Sequence, residues 1–495
     1  MIGCLVGSEM CIRDRAIEEL ELPSAWPSAV SQELPSESNF PYQGNYKDFT
    51  DMHFVTIDGE DAKDFDDAVL CERTSQGFTL RVAIADVSGA VIPNTAMDKE
   101  ARKRGTSIYF PGLVIPMLPE AISNNICSLV PHQNRNTVVC QMMFDDDGDI
   151  NKFDFVLATI ESKHRLTYSE VESFVTERQA LSLPEVESSI SHLKTLTNIL
   201  LDKKMQRNAL DFESNEPQVE CDNSGAVKSI VKPSRLFAHQ MIEESMIAAN
   251  TCAVLFIKSK ISFAINRYHP PPSEEKLKPL IDKINTLKQQ DLSDPLIILK
   301  KAISISKKEK GFEILQNLIL QNLPRAVYSV NESGHFGLQL KEYTHFTSPI
   351  RRYPDLVIHR ILKSILLNTE VVYTQNLLED QCAELSELEK RAEQASRQVT
   401  QQLICYHLEN EIGKTFNSKI VSVTSFGLFC EIKDFFISGL LHVSDLPSDY
   451  YLYNEHQNYL KGRKRGMAFK VGDPITVRID NVLPSERKIV LGYEY

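Results

Sequence analysis

No apolar run in these 495 residues is long enough to span a bilayer as a helix. The apolar stretch at residues 3–6 is too short for a secretory core, and no basic segment precedes it. No Cys-x-x-Cys pair occurs: the ten cysteines, among them Cys71, Cys127, Cys140 and Cys252, are scattered, mostly in or beside apolar runs. Reduced, buried thiols of a cytoplasmic protein are therefore expected rather than disulfides. Basic charge is also in deficit, with 54 Lys and Arg against 67 Asp and Glu and a net charge of −13. A surface that binds a polyanion would have to be a local basic groove on an acidic protein. Lys461, Arg463, Lys464, Arg465 and Lys470 lie in ten residues without an acid. By charge alone that stretch reads equally well as a solvated loop.

What is present suffices for several cores. A hydrophobic content of 42% over this length predicts two or three domains. Residues 1–15 match nothing downstream and read as a non-native scar outside the fold. Residues 16–50, with Pro23, Pro27, Pro35 and Pro41, read as a linker or an extended wrap. Residues 53–57 and the alternation of Phe78, Leu80, Val82 and Ile84 predict strands. Met241, Ser245, Ala248 and Cys252 predict a helix over 235–258, and His269-Pro-Pro-Pro-Ser273 breaks it. Helical stretches are expected from there to about residue 330. Pro354 sits at a helix first turn, followed by Leu356, Val357, Ile361 and Ile365. Leu385, Leu388, Ala392, Ala395, Val399 and Leu403 form the apolar stripe of a long helix over 379–410, read as core packing. From Gly413 the pattern changes to short strands, so the domain boundaries fall at 51–410 and 411–495.

The densest signal is Thr56-Ile-Asp-Gly-Glu-Asp-Ala-Lys-Asp-Phe-Asp-Asp-Ala-Val69. Asp58, Glu60, Asp61, Asp64, Asp66 and Asp67 crowd within ten residues against a single Lys63. Partly buried carboxylates so close repel one another unless a cation neutralises them, and the apolar flanks keep the run from floating in solvent. Mg²⁺ takes a few carboxylates together with waters and substrate phosphate. Two-metal phosphodiester hydrolysis uses that arrangement. A Ca²⁺-binding or merely solvated acidic loop is the competing reading, although the spacing does not fit an EF-hand.

The run resembles the catalytic signature of the RNase II/RNase R (RNB) family. Further stretches resemble the same family in the same order: Ala85-Asp-Val-Ser88, Arg104-Gly-Thr-Ser-Ile-Tyr-Phe-Pro111, Ile115-Pro-Met-Leu-Pro119, Ser123-Asn124 with Cys127-Ser-Leu129, Ile242-Glu-Glu-Ser-Met-Ile-Ala-Ala-Asn250, and His345-Phe-Thr-Ser-Pro-Ile-Arg-Arg-Tyr-Pro-Asp355. His335-Phe-Gly-Leu338 and Tyr353-Pro-Asp355 are closer to the RNase R branch. The resemblance implies an α+β RNB domain, a mixed sheet with helices around an RNA channel, followed by an all-β S1-type OB barrel. It implies a 3′–5′ exoribonuclease that hydrolyses single-stranded RNA to 5′-monophosphates with Mg²⁺, for which Mn²⁺ can substitute. The partner is then RNA with a free 3′ end; a monomer with no membrane attachment is expected, and association with ribosomes or degradation complexes is left open.

Carried over residue by residue, the family's active-site aspartates fall on Asp58, Asp64, Asp66 and Asp67, and its catalytic arginine on Arg351. The base-stacking tyrosine falls on Tyr109, the aromatic partner on Phe212, and a nucleotide-contacting carboxylate on Glu243. Taken alone, Tyr109 or Phe212 reads as a core aromatic. Gly89 departs from the family's usual histidine after Ala-Asp-Val-Ser. The two upstream cold-shock domains and the lysine-rich tail that the resemblance leads one to expect are absent from this chain, and residues 16–30 read as the tail of that upstream region.

In the last segment, Lys419-Ile-Val-Ser-Val-Thr-Ser-Phe-Gly-Leu-Phe429 alternates into a glycine bend. Ser438-Gly-Leu-Leu-His-Val-Ser444 and the run from Val471 through Val482 continue it as a five-stranded barrel. Phe426, Phe429 and His442 are candidates to stack on bases, with a plain β core as the alternative for both phenylalanines. Two other functions compete with the nuclease: a catalytically dead RNB-like RNA-binding protein and an S1 adaptor of translation. The first would be marked by a lost aspartate, and none is lost. The second leaves the long first domain without explanation.

Overall fold

The computed structural model describes residues 8–34, 45–177, 179–181, 183–210, 217–222, 224–273, 275–277, 299, 323–454 and 459–494. Alternating apolar residues build a seven-stranded mixed sheet in the order β1 (Lys47–Phe49), β8 (Ile150–Glu161), β7 (Asn134–Phe144), β4 (Gly77–Ala85), β3 (Asp67–Thr74), β2 (Val55–Asp58) and β9 (His164–Thr167). The interior pairs are antiparallel; β1 and β9 join the two edges in parallel. Phe78, Leu80, Val82 and Ile84 lie on β4 as their alternation predicts. Thr79, Ala83 and Ala85 on the opposite side are buried as well, so this central strand is covered on both faces.

The covering helices include α5 (Pro184–Gln206) against β3 and α6 (Phe237–Lys258) against β4 and β7. On α6, Met241, Ser245 and Cys252 are buried. Pro354 stands in the first turn of α7 (Tyr353–Leu366), where its missing N–H costs nothing. The long helix α8 spans Gln375–Leu408. Its stripe meets Ile108, Phe110 and Ile115 of the short hairpin β5 (Ile108–Phe110) and β6 (Leu113–Ile115). The end of the stripe, at Ile404, Cys405 and Leu408, enters the core of the second domain. The stripe is therefore core packing, and it ties the two domains together.

Three expectations are corrected. Residues 8–15 are not outside the fold: they open α1 (Ser8–Glu19), where Ile12 and Ala16 pack on the α8 stripe. The 16–50 segment is more than a linker. It carries α2 (Ser28–Gln32) with Val30 in the main core, Trp26 against the Arg104 guanidinium at 3.5 Å, and β1. The helical run expected to about 330 ends earlier, because Val327–Ser329 is a strand, β13, paired with β12 (Asn266–Tyr268). Most of the run before it lies outside the described residues.

A hairpin of β10 (Gln218–Cys221) and β11 (Val227–Val231) leans on α8. The second domain closes a barrel in the order β14 (Thr415–Thr424), β15 (Gly427–Ile432), β16 (Ile437–His442), β21 (Lys488–Tyr493) and β20 (Pro474–Leu483), an OB arrangement. Gly427 makes the β14–β15 bend possible: a Cβ there would lie 2.4 Å from the Leu441 carbonyl oxygen. Between β16 and β20 the chain makes a separate three-stranded sheet, β17 (Tyr451–Asn454), β18 (Tyr459–Gly462) and β19 (Ala468–Lys470).

Cys71, Cys127, Cys140, Cys252, Cys382, Cys405 and Cys430 are buried free thiols, and burial pushes the Cys71 thiol up to about 12. Among the described residues no helix is long and apolar enough to cross a membrane.

Candidate active site

Strands β2 and β3 are sheet neighbours, so the acidic run is one strand-to-strand loop. Asp58 ends the first strand and Asp67 opens the second. The loop is pinned at both sides. Phe65 is buried, and its N–H donates to Ser128 Oγ at 3.0 Å. The Ser128 hydroxyl donates in turn to the Lys63 carbonyl at 2.8 Å. From β9, Arg165 donates to the carbonyls of Gly59 (2.7 Å) and Glu60 (2.5 Å). Asp58, Asp64, Asp66 and Asp67 thereby line one cavity of about 330 Å³ with Tyr109, Glu243 and Arg351. Glu60 and Asp61 are exposed and do not line it.

Electrostatics show what this crowding costs. Asp66 is 5% exposed. Burial pushes its carboxyl well above the carboxylate range, against the pull of Arg351 and of the Ile350 N–H, which donates to Oδ1 at 2.8 Å. Burial, then Asp66 and Asp64, raise Asp58 to about 7. Burial and Asp58 raise Asp67 to about 8. Asp58 Oδ2 is buried with no hydrogen-bond partner. An all-oxygen donor set with an orphaned carboxylate oxygen fits a hard divalent cation. Among the described residues no three His, Cys, Asp or Glu side chains are disposed to hold an ion between them.

A stability prediction follows. Asp58 and Asp67 bind protons more tightly in the folded chain than in the unfolded one. Their contribution is most favourable below about pH 4 and is lost as pH rises through about 7 to 8. In chelator, the melting temperature should therefore fall between pH 5.5 and 8.5. Added Mg²⁺ should raise it more at pH 8.5 than at pH 5.5, because the ion replaces the protons. Calorimetry at the two pH values checks this; a Mg²⁺ effect that is larger at pH 5.5 would contradict it.

Arg351 reaches the cavity from the turn before α7. Its carbonyl accepts from Ser107 N–H and Thr106 Oγ, both at 3.0 Å, and Thr106 forms a β-bridge with Arg352. Gly105, with φ +70°, lets α3 (Ala96–Arg104) end there; a Cβ would lie 2.8 Å from Leu388. The side chain donates from Nη2 to Ser348 Oγ at 3.0 Å, and its Nε lies 3.7 Å from Asp66 Oδ2. It stays 42% exposed and can reach a ligand. Arg352 does not share that freedom: Asp355 Oδ1 accepts from its Nη2 and from Ser348 N–H, each at 2.8 Å.

Tyr109 projects from β5 between buried Ile108 and Phe110, is 42% exposed, and directs its hydroxyl to Asp64 Oδ2 at 3.4 Å. Glu243 is on the cavity wall, held by Lys204 Nζ at 3.0 Å and Arg235 Nη2 at 2.6 Å. Phe212 lies outside the described residues. On the barrel, Phe426 and Phe429 meet edge to face with ring centroids 6.2 Å apart, and His442 pairs in register with Gly427 between them. Phe426 and His442 are exposed, so these three gather on one part of the barrel surface, and none of them lines the carboxylate cavity.

Residues 46–368 match the RNB domain, about two-thirds of the chain. The chain belongs to the RNB family. Residues 409–494 match the S1 RNA binding domain. Ribonuclease R of Escherichia coli (strain K12) is 37% identical to this RNB chain over 515 residues, covering 99% of the chain but 62% of that protein. The apo form of Mycoplasma genitalium RNase R superposes with a TM-score of 0.90 at 31% identity, covering 98% of this chain and 78% of that one. Yeast Ssd1, a pseudonuclease, has a TM-score of 0.72 at 18% identity over 91% of this chain and 57% of its own. At that distance only the fold is shared, so activity has to be argued from the site.

Several residues of this RNB site escaped sequence reasoning. Tyr168, at the start of α4 (Tyr168–Glu177), lines the cavity and packs at a tilt against His239, ring centroids 4.1 Å apart. Asn250 and Tyr343 also line it, joined through Asn250 Nδ2 and the Tyr343 hydroxyl at 3.2 Å. Asn250 sits in a family-like stretch that could have flagged it; Tyr168 carries no local signal. Asp86 of the Ala-Asp-Val-Ser stretch is structural: fully buried, it accepts from Lys363 Nζ at 2.6 Å and from Tyr46 and Ser88. Removing one partner of such a buried pair costs roughly 3–5 kcal/mol.

Proposed function

We propose that this chain is a 3′–5′ exoribonuclease that hydrolyses single-stranded RNA to 5′-nucleoside monophosphates with Mg²⁺. The observation that carries the reading is the meeting of all four aspartates, a half-exposed Arg351 and an exposed Tyr109 at one cavity. Asp58, Asp64, Asp66 and Asp67 would hold the metal, which when bound supplies an activated water and neutralises the leaving oxygen. The forked Arg351 guanidinium can take two oxygens of the scissile phosphate at once. Tyr109 offers a face to the terminal base, and stacking accepts every base because each has a π-face. The hydroxyl of Tyr109 leans on Asp64, so the stacking ring and the metal-binding carboxylate are set in register with each other. Phe426, Phe429 and His442 on the S1 barrel would hold the strand upstream. A role in RNA turnover in the cytoplasm goes with this activity.

Thin-layer analysis of products from uniformly labelled RNA tests the proposal. The expected products are nucleoside monophosphates and a short residual oligomer, with DNA spared because it lacks the 2′-hydroxyl. Diphosphates released with inorganic phosphate, internal cuts in circular RNA, or equal activity on DNA would each overturn it.

A further inference from the structure

The three-stranded sheet β17–β19 has two unlike faces. Tyr453, Leu460 and Phe469 are in register across it. Leu460 and Phe469 are buried in the barrel core, which this face closes. The other face carries Leu452, Lys461 and Ala468 in one row and Asn454, Tyr459 and Lys470 in the next. Leu452 is 53% exposed and the neighbouring Tyr450 is 64% exposed, and both lysines are open to solvent.

The turn beyond this face is cationic and bonded through its backbone. Two acids adjoin it: the Asp449 carboxylate accepts from the backbone N–H groups of Tyr450 (2.7 Å), Lys464 (2.9 Å) and Arg465 (2.7 Å), and Asp473 accepts from the Lys470 N–H at 2.9 Å. Arg463 N–H donates to the Tyr450 carbonyl at 2.9 Å. Arg465 interacts with the Asp449 charge, while the side chains of Lys461, Arg463, Lys464 and Lys470 form no ion pair among the described residues. On a chain of net charge −13 this is a concentrated positive field.

We infer that the outer face of β17–β19 is a second RNA platform, which holds single-stranded RNA separately from Phe426, Phe429 and His442. Cations beside exposed aromatic and aliphatic side chains on an open sheet match the needs of a flexible polyanion with stacking faces. The inference deepens the proposed function and rests on it. The platform would bind the part of a long substrate that does not yet lie in the cavity, so it should matter for long RNA and not for the shortest substrates.

The test uses the full chain, fluorescence anisotropy of a labelled 30-nucleotide single-stranded RNA in chelator, and a salt series. Lys461→Ala/Arg463→Ala/Lys470→Ala should weaken binding about tenfold and reduce the magnitude of the log–log salt slope by about 2, three lost contacts at ~0.7 each. Tyr450→Ser/Leu452→Ser should weaken binding about fivefold with the slope unchanged, because stacking is not ionic. Mg²⁺-dependent turnover of a four-nucleotide RNA should be native in both variants. Native affinity and slope in both variants would overturn the inference while leaving the exonuclease reading intact. An original chain that binds no RNA would overturn both. Loss of binding to phosphatidylserine vesicles in the triple variant, with RNA binding unchanged, would assign the face to a membrane surface and also overturn the inference.

Discussion

Asp66→Asn is expected to lower single-turnover RNA cleavage by at least on the order of a thousandfold while leaving RNA affinity within about threefold. The asymmetry follows from the environment of this side chain. Its Oδ1 accepts the Ile350 N–H, and an amide oxygen can do the same, so the turn before α7 keeps its shape. Its Oδ2 faces Arg351 and the other carboxylates, and there an amide nitrogen has no charge to offer a metal. RNA binding, by contrast, rests on phosphate contacts and stacking spread over many residues. Because the charged form of Asp66 is disfavoured by burial, the neutral variant should fold at least as well in chelator. Cleavage at a tenth of the native rate would sink the assignment of Asp66.

Arg351→Lys should cost on the order of 2–4 kcal/mol of transition-state stabilisation, about 30- to 1000-fold in kcat/KM. Lysine keeps the charge but loses the fork. It also loses the Nη2 bond to Ser348 that aims the group across the cavity. The fold has little stake in this side chain, since the turn is held through the Arg351 carbonyl and through Arg352 and Asp355. Melting temperature should therefore stay native while turnover falls. Retention of more than half the native turnover number would mean that Arg351 serves the fold and not the phosphate.

The carboxylate site was legible because its parts are adjacent in sequence: one loop between two strands supplies all four aspartates, and like charges so close need a cation. Tyr109 and Arg351 were legible only through family-like stretches, since nothing in a lone tyrosine or arginine tells a cavity from a surface. What the motifs could not reveal was the division of labour inside them. Arg351 and Arg352 are neighbours in one motif, yet the second is committed to Asp355. Asp86 also lies in a family-like stretch, but its partner is Lys363, 277 residues away. Tyr168 reaches the cavity only because β9 delivers α4 beside β2, a parallel edge pairing that no local pattern encodes. The strand at 327–329 and the packing of α1 on α8 depend in the same way on distant partners. The basic stretch at 461–470 could not be weighed by charge alone, because the commitment of Asp449 to backbone N–H groups is a tertiary fact.

Single-turnover cleavage of 5′-labelled single-stranded RNA by the intact chain, first in chelator and then with Mg²⁺ or Mn²⁺ restored, tests the carboxylate cluster most directly. The account predicts no cleavage in chelator, and on restoration a ladder that shortens one nucleotide at a time from the 3′ end to a short oligomer. Undiminished cleavage in chelator, or fragments that appear first from internal positions, would contradict it.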